Sequence, residues 1–248
     1  MRQVPDKNNQ YSYLIVGNGK LSKHFQHYFS LKNISYKVWT RSSGEAFQSI
    51  GQSPNNVLVL INDDEIQNFL DKNCKKLSDD IIWIHCSGML STNLAESAHP
   101  LMTFTDELYT LEKSEAITFI TERGRKSFSE LFPQLKNPSY QIESSEKTLY
   151  HAFCVLSGNF TTMIWQFFFD YLKSKNIPES AAYLYLTTIT DNLKNNSAPL
   201  TGPIQRNDKN TIQKHLESLN DHPVKNIYIS FLEAYDKMTK EKILENDK

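Results

Sequence analysis

The sequence carries little that would tie it to an oxidising compartment, a polyanion or a bilayer. There are three cysteines in 248 residues. Cys74, Cys86 and Cys154 are odd in number, widely spaced and form no Cys-x-x-Cys pair, which argues against a disulfide framework or a zinc site and fits a reducing cytoplasm. No metal is expected. Nor is there an excess of one charge, because 27 basic side chains stand against 28 acidic ones for a net charge of −1. Without a positive field to hold a phosphate backbone, nucleic acid is not an expected partner. Long apolar runs are missing as well: the stretch 57–61 is far shorter than a membrane span, and the first ten residues, MRQVPDKNNQ, are polar. Neither an anchor nor a membrane partner is expected. Internal repeats and low-complexity tracts are absent. What remains is an ordinary globular composition, 39% hydrophobic, 12% aromatic and 22% charged, enough for one large domain or two smaller ones.

Between residues 13 and 143 short β-rich runs alternate with amphipathic stretches, the pattern of a parallel sheet covered by helices. Strands are expected at 13–16, 35–40, 57–61, 81–85, 116–121 and 140–143, several of them apolar on both faces. Helices are expected at about 20–32, 64–76 and 125–136. After Glu143 the β-rich runs stop. A helical pattern begins near Ser144 or Ser145 and continues to about Lys175, carrying Phe153, Phe160, Ile164, Phe167, Phe168 and Tyr171. So apolar a circumference is expected to lie at the centre of a domain. Further helices are expected at about 178–195, 209–220 and 223–240, with Asp208 or Asn207 capping the second of these. The fold class is therefore α/β, a Rossmann-like, mostly parallel, doubly wound sheet over residues 1–143, followed by an all-α domain over 144–248.

The first strand runs directly into Gly17-Asn18-Gly19-Lys20-Leu21-Ser22 and then into a helix. Here Gly17 permits the tight turn, Gly19 lets the backbone approach a pyrophosphate, and the helix N-terminus offers amide donors to the anion. Ser22 takes the third glycine position and is small enough to keep helix and strand close. About twenty residues on, where an NAD site would place a carboxylate, the sequence reads Thr40-Arg41-Ser42-Ser43. Arg41 can fork a 2′-phosphate and Ser42 can add a donor, which favours NADP(H) over NAD(H).

In a doubly wound sheet, ligands lie beyond the carboxyl ends of the strands. Asn62, Asp63 and Asp64 follow the third strand, and Asp63 or Asp64 is expected to cap the next helix, with cofactor contact secondary. After the fourth strand, Ser87-Gly88 joins a hydroxyl to a flexible residue, so that Ser87 can reach a substrate oxygen. His99, before a proline in an expected turn, and His151, on the long helix, are candidates for moving a proton. Lys147, His151, Cys154, Gly158 and Thr162 form a small or polar seam along that helix, and Asn159 lies about 80° round from His151, able to border the same pocket. Structural readings stand beside these: His85 closes its strand, His151 is a satisfied core or interface histidine, Gly158 marks close helix packing, and Arg206, placed before a helix start where it can recognise an anion bidentately, makes a surface ion pair instead.

Taken together, Gly17-Asn18-Gly19-Lys20-Leu21-Ser22, His85-Cys86-Ser87-Gly88, His99-Pro100-Leu101-Met102-Thr103-Phe104, Tyr150-His151-Ala152 with Ser157-Gly158-Asn159, and Leu200-Thr201-Gly202-Pro203-Ile204 with Arg206 and Asp208 resemble a bacterial family. Its members join a Rossmann-like NADP-binding domain to a C-terminal helical domain of unknown function. The resemblance spans nearly the whole chain. The wider group includes pyrroline-carboxylate reductase, β-hydroxyacid dehydrogenases, ketopantoate reductase and deazaflavin-dependent NADP reductases. The resemblance implies an NADP-dependent oxidoreductase acting on a small carbonyl, alcohol or imine, with the helical domain forming a homodimer. Ser22, and Asn207 where relatives often carry glycine, depart from the family pattern. The lysine–asparagine pair of the hydroxyacid dehydrogenases is not reproduced either, since Lys147 is followed four residues later by His151. The competing expectation is a non-catalytic NADP(H)-binding sensor or regulatory protein. A flavin or deazaflavin partner would be a third.

Overall fold

The computed structural model describes residues 12–44, 46–47, 54–195 and 200–246; the polar first ten residues lie outside them. Two compact units divide the chain, Met1–Gln166 and Phe167–Lys248. The division falls within the long helix and not at residue 143, because the first turns of that helix are pinned to the sheet by buried polar contacts.

In the first unit, seven strands form one sheet: β1 (Tyr13–Val16), β2 (Tyr36–Trp39), β3 (Asn56–Val59), β4 (Ile82–His85), β5 (Glu96–Pro100), β6 (Phe119–Glu122) and β7 (Ser139–Ile142). Their order across the sheet is β2-β1-β3-β4-β5-β6-β7. The pairs from β2 to β5 are parallel, β6 runs antiparallel to β5, and β7 is parallel to β6. This is a Rossmann-like, mostly parallel sheet. Strand β1 shows why both faces are covered. Tyr13 and Ile15 enter one core with Phe25, Phe29 and Phe132, while Leu14 and Val16 enter the other with Ile66, Leu70 and Trp83. Alternate side chains of one buried strand thus feed two helix layers. The chain leaves β1 for β2 on one side and returns to β3 on the other, so a crevice opens at the carboxyl ends of β1 and β3.

The helices of this unit are α1 (Lys20–Leu31), α2 (Asp63–Asn73), α3 (Leu111–Glu115), α4 (Phe128–Leu131), α5 (Lys147–Cys154) and the start of α6 (Thr161–Ser174). Several expectations are corrected. The turn expected at Ala98-His99-Pro100 is strand β5; proline is tolerated there at the strand's last position, next to an antiparallel partner. The strand expected at 116–121 starts at Phe119, after the short α3, and the helix expected over 125–136 is the four-residue α4 with a Ser127–Glu130 capping box. Asn62 and not an aspartate occupies the cap position of α2, and it makes no side-chain capping bond.

The long helix runs unbroken over Ser144–Ser174, with a π-helical stretch Val155–Phe160 between α5 and α6. Within the first unit its apolar face is open among the described residues: Leu149 is 63% exposed and Phe153 58% exposed, and Leu156, Phe160, Met163 and Ile164 are exposed too. Apolar circumference alone does not say whether the cover comes from the same chain or from another molecule. This run is also long and apolar enough to cross a membrane by length and composition.

The second unit contains the rest of α6, then α7 (Tyr183–Asn195), α8 (Lys209–Ser218) and α9 (Val224–Asn246). Asp208 caps α8 by accepting from the Thr211 amide at 3.1 Å, and Asn207 adopts the left-handed conformation at φ +51°, which asparagine tolerates. Arg206 is exposed beside Asp208.

Candidate active site

A cleft of about 660 Å³ opens at the switch point of the sheet. Gly17, Asn18, Gly19, Lys20, Leu21 and Ser22 line one side, Thr40, Arg41 and Ser42 one end, and Asn62, Asp63, Cys86 and Ser87 the other. Every residue expected to hold a dinucleotide lies on this cleft. Gly17 is required by backbone geometry, because φ is +114° and an added Cβ would overlap the Leu60 carbonyl of the neighbouring strand. Gly19 is different, since an added Cβ would meet nothing within 4 Å. That open face lies at the N-terminus of α1, which has no side-chain cap and no acidic residue in its first turn, so its amides are left to an anion. Ser22 is buried, donates to the Gly17 carbonyl at 2.7 Å and accepts from Gln26 at 3.0 Å. Its hydroxyl closes the loop onto the helix, which accounts for a serine at the third small position.

At the end of β2 the hydroxyls of Ser42 and Ser43 both lie 3.0 Å from Thr40 Oγ1. Arg41 extends across the mouth to Glu65 at 3.3 Å, with its side chain 81% exposed. Lys20 makes a comparable exposed pair with Asp106. At the opposite end, Ser87 is buried, and its hydroxyl donates to Asp63 at 2.6 Å while accepting from the amides of Met89 and Leu90. Asp63 therefore ties α2 to the turn after β4, and the Ser87 hydroxyl is engaged within the chain.

Beyond Ser87 the two candidate histidines come together. An added Cβ on Gly88 would lie 2.7 Å from His151 Cδ2 and 3.0 Å from His99 Nε2, so only glycine leaves both imidazole edges in place. The two rings are perpendicular, with centroids 5.8 Å apart. The Nδ1 of His99 is 2.8 Å from the Tyr150 hydroxyl. Burial, reinforced by the charges of His151 and Lys147, lowers the His99 pKa from 6.5 to about 4. His85 is fully buried beside this group; its Nδ1 accepts from the Ser87 amide at 3.2 Å, and its Nε2 has no partner among the described residues. Burial first, then Lys147, brings its pKa down to about 3, so it is neutral. Asn159 is exposed on the π-helical stretch. The extra residue per turn there shifts the phase on which its expected placement rested.

Two features have no role that the sequence assigns, Tyr150 entering there only within a motif and Lys147 only as part of a seam. One is Tyr150, whose partner lies 51 residues away in the chain. The other is the buried pair of Lys147 and Glu122, each 3% exposed, at 2.7 Å. Lys147 also donates to Ser97 at 2.7 Å and to the Leu90 carbonyl, and Glu122 accepts from Ser144 at 2.5 Å and Ser91 at 2.9 Å. Burial alone would raise the Glu122 carboxyl, but these donors outweigh it and hold the group below its usual 4.5. The seam position read as facing a cleft at Lys147 thus faces the sheet, and it fixes α5 so that Tyr150 and His151 arrive over Gly88. Among the described residues no cluster suited to a metal ion occurs.

The sheet order and the glycine cleft define a Rossmann-like protein. The chain belongs to the family described as a domain of unknown function, DUF2520, whose model matches residues 116–240. No curated protein matches. Among solved structures, the chain is similar to a Bacteroides fragilis protein provisionally described as an NADP oxidoreductase, with a TM-score of 0.76 at 16% identity, covering 92% of this chain and 98% of that one. A Thermotoga maritima protein matches with a TM-score of 0.67 at 19% identity, covering 93% and 99%. A Plasmodium falciparum pyrroline carboxylate reductase with NADP bound matches with a TM-score of 0.55 at 13% identity, covering 92% and 98%. At these identities the likeness establishes the shared fold.

Proposed function

We propose that the chain is an NADP(H)-dependent oxidoreductase that reduces, or forms by oxidation, a small carbonyl or imine. The observation that carries this reading is the adjoining of two halves: a cleft built for a dinucleotide ends at Cys86–Ser87, and the next residue, Gly88, lies beneath two convergent imidazoles. The residues fit the cofactor. The open face of Gly19 admits a pyrophosphate to the free amides of α1. Arg41 pairs with Glu65 through an exposed contact, which is weak, so the guanidinium can turn to fork a 2′-phosphate beside Ser42. When bound, NADP(H) supplies the hydride. His99 and His151 orient the substrate's reducible group, with His151 providing the proton that accompanies hydride. Asp63 and Ser87 fix the floor between cofactor and substrate.

The NADP-bound pyrroline carboxylate reductase among the structural neighbours acts, by its name, on a C=N substrate, which supports including imines. The apolar face of α5 and α6, exposed in the single chain, is proposed to be covered by a second copy in a cytoplasmic homodimer. Light scattering on the purified chain is expected to give twice the 28.7 kDa chain mass; a monomer that partitions into vesicles would replace the dimer with a membrane contact. The test of the activity is a screen of small carbonyls and imines that follows NADPH absorbance. Consumption with at least one substrate, abolished in His151→Ala, is expected. Tight NADPH binding without turnover of any substrate would leave a nucleotide sensor instead.

A further inference from the structure

We infer that Tyr150 is a positioning residue: its hydroxyl donates to His99 Nδ1 and so fixes the His99 tautomer that carries its hydrogen on Nε2, the edge nearest Gly88 and the end of the nucleotide cleft. The inference rests on the reductase reading and adds to it how the substrate's acceptor atom is met. The 2.8 Å contact between Tyr150 and His99 Nδ1 can run in either direction. Its surroundings choose one. Burial first, and then Cys154, push the Tyr150 hydroxyl up from 10.0, so it keeps its proton and needs an acceptor. The choice lies between a neutral imidazole nitrogen and the sulfur of Cys154, and a thiol is much the weaker acceptor. His99 stays neutral to about pH 4 and therefore has one ring nitrogen free to accept. If Nδ1 is that nitrogen, Nε2 carries the hydrogen.

The direction of Nε2 follows from Gly88. An added Cβ there would lie 3.0 Å from His99 Nε2, so the Nε2 edge of the ring is the one turned to the Gly88 backbone, beside the end of the nucleotide cleft at Ser87. The other titratable groups around His99 are the His151 edge, perpendicular at 5.8 Å, the Lys147 ammonium, whose hydrogen bonds go to Glu122, Ser97 and the Leu90 carbonyl, and the buried His85, whose Nδ1 accepts from the Ser87 amide. Among the described residues the hydrogen bond that His99 makes is the one to Tyr150.

This arrangement restricts the chemistry of the substrate. A neutral Nε2–H donates to a lone pair, so it accepts a carbonyl oxygen or an unprotonated imine nitrogen and gains nothing from an iminium, which has no lone pair to offer. As hydride reaches the carbon, the π electrons move onto that oxygen or nitrogen and the hydrogen bond strengthens. His99 keeps its proton, since losing it would leave an imidazolate; the proton that completes the product comes from His151 or water.

The test is long-range 1H–15N spectroscopy of the full chain with 15N-labelled imidazoles at neutral pH, the His99 signal assigned by its loss in His99→Gln. In the wild type, Nδ1 is expected to resonate as an unprotonated nitrogen and Nε2 as a proton-bearing one. Tyr150→Phe, which keeps the edge-on contact of this ring with the His99 imidazole at 5.5 Å between centroids, is expected to mix the tautomers, to bind NADPH as the wild type does, and to lower turnover by at least about tenfold. A wild-type His99 protonated on Nδ1, or on both nitrogens, overturns the assignment, as does a Tyr150→Phe variant with the tautomer unchanged. NADPH titration of the same samples separates the two levels. Binding with the wrong tautomer sinks only the role of Tyr150, whereas the right tautomer without binding sinks the reductase reading.

Discussion

The two ends of the site are built from different materials. At the nucleotide end the ligand surface is backbone: a glycine turn held by Leu60 on the next strand, an open glycine, and the uncapped amides of α1. At the histidine end it is side chains brought from two elements, His99 on β5 and Tyr150 with His151 on α5, around a glycine that makes room for them. A backbone site is rigid once its strand and helix form. A side-chain site depends on whatever holds its elements in register, and here that is the buried pair of Lys147 and Glu122. The difference teaches where each end should fail: the first through local conformation, the second through loss of an anchor some distance from the chemistry.

The largest effect is expected from Lys147→Ala. Removing one partner of a buried, fully hydrogen-bonded pair costs about 3–5 kcal/mol, read as a shift in the denaturant midpoint, because the Glu122 charge is left without its counterion. A loss under about 1 kcal/mol would mean that α5 is held by something else. Next is Gly88→Ala, where the new methyl must displace His151 or His99. Turnover is expected to fall about a hundredfold, as catalytic groups moved by an ångström do, with NADPH affinity retained; if the affinity collapses as well, the two ends are not separable.

Acid should act on the histidine end selectively. His85 and His99 bind protons near pH 6.5 in the unfolded chain but only near about 3 and about 4 in the folded one. Between these values the unfolded state holds more protons, so stability is full above pH 6.5 and declines as pH falls towards 4. Glu122, lowered from 4.5, adds a further loss as pH falls through its folded value. A melting temperature independent of pH between 6.5 and 4.5 would contradict this. The smallest effect is expected from Arg41→Ala, about tenfold weaker NADPH binding, roughly 1.4 kcal/mol, with NADH little changed; equal loss for both would remove the 2′-phosphate assignment.

What could be read from the sequence follows the same division. The glycine loop, Arg41 and Asp63 were found because a strand, a turn and a helix start are contiguous, and contiguous backbone leaves its mark in contiguous residues. All of them line one cleft. The histidine end was read only in its separate members. That His99 pairs with Ile120 in the sheet, that Ser87 is bound to Asp63, and that Tyr150 reaches His99 are contacts between residues 21 to 51 positions apart, which no periodicity records. Asn159 was placed by counting residues at the α-helical spacing through a stretch that turns out to be π-helical. The burial expected for the long helix failed for another reason: hydrophobicity specifies that a face needs cover, and only geometry says what covers it.

The most direct test of the central claim, that this cleft holds NADP(H), is calorimetric titration of the folded wild-type chain with NADPH and, in parallel, NADH. Saturable heat with NADPH and clearly weaker binding of NADH is the predicted result. No uptake of either nucleotide at millimolar concentration would contradict the account.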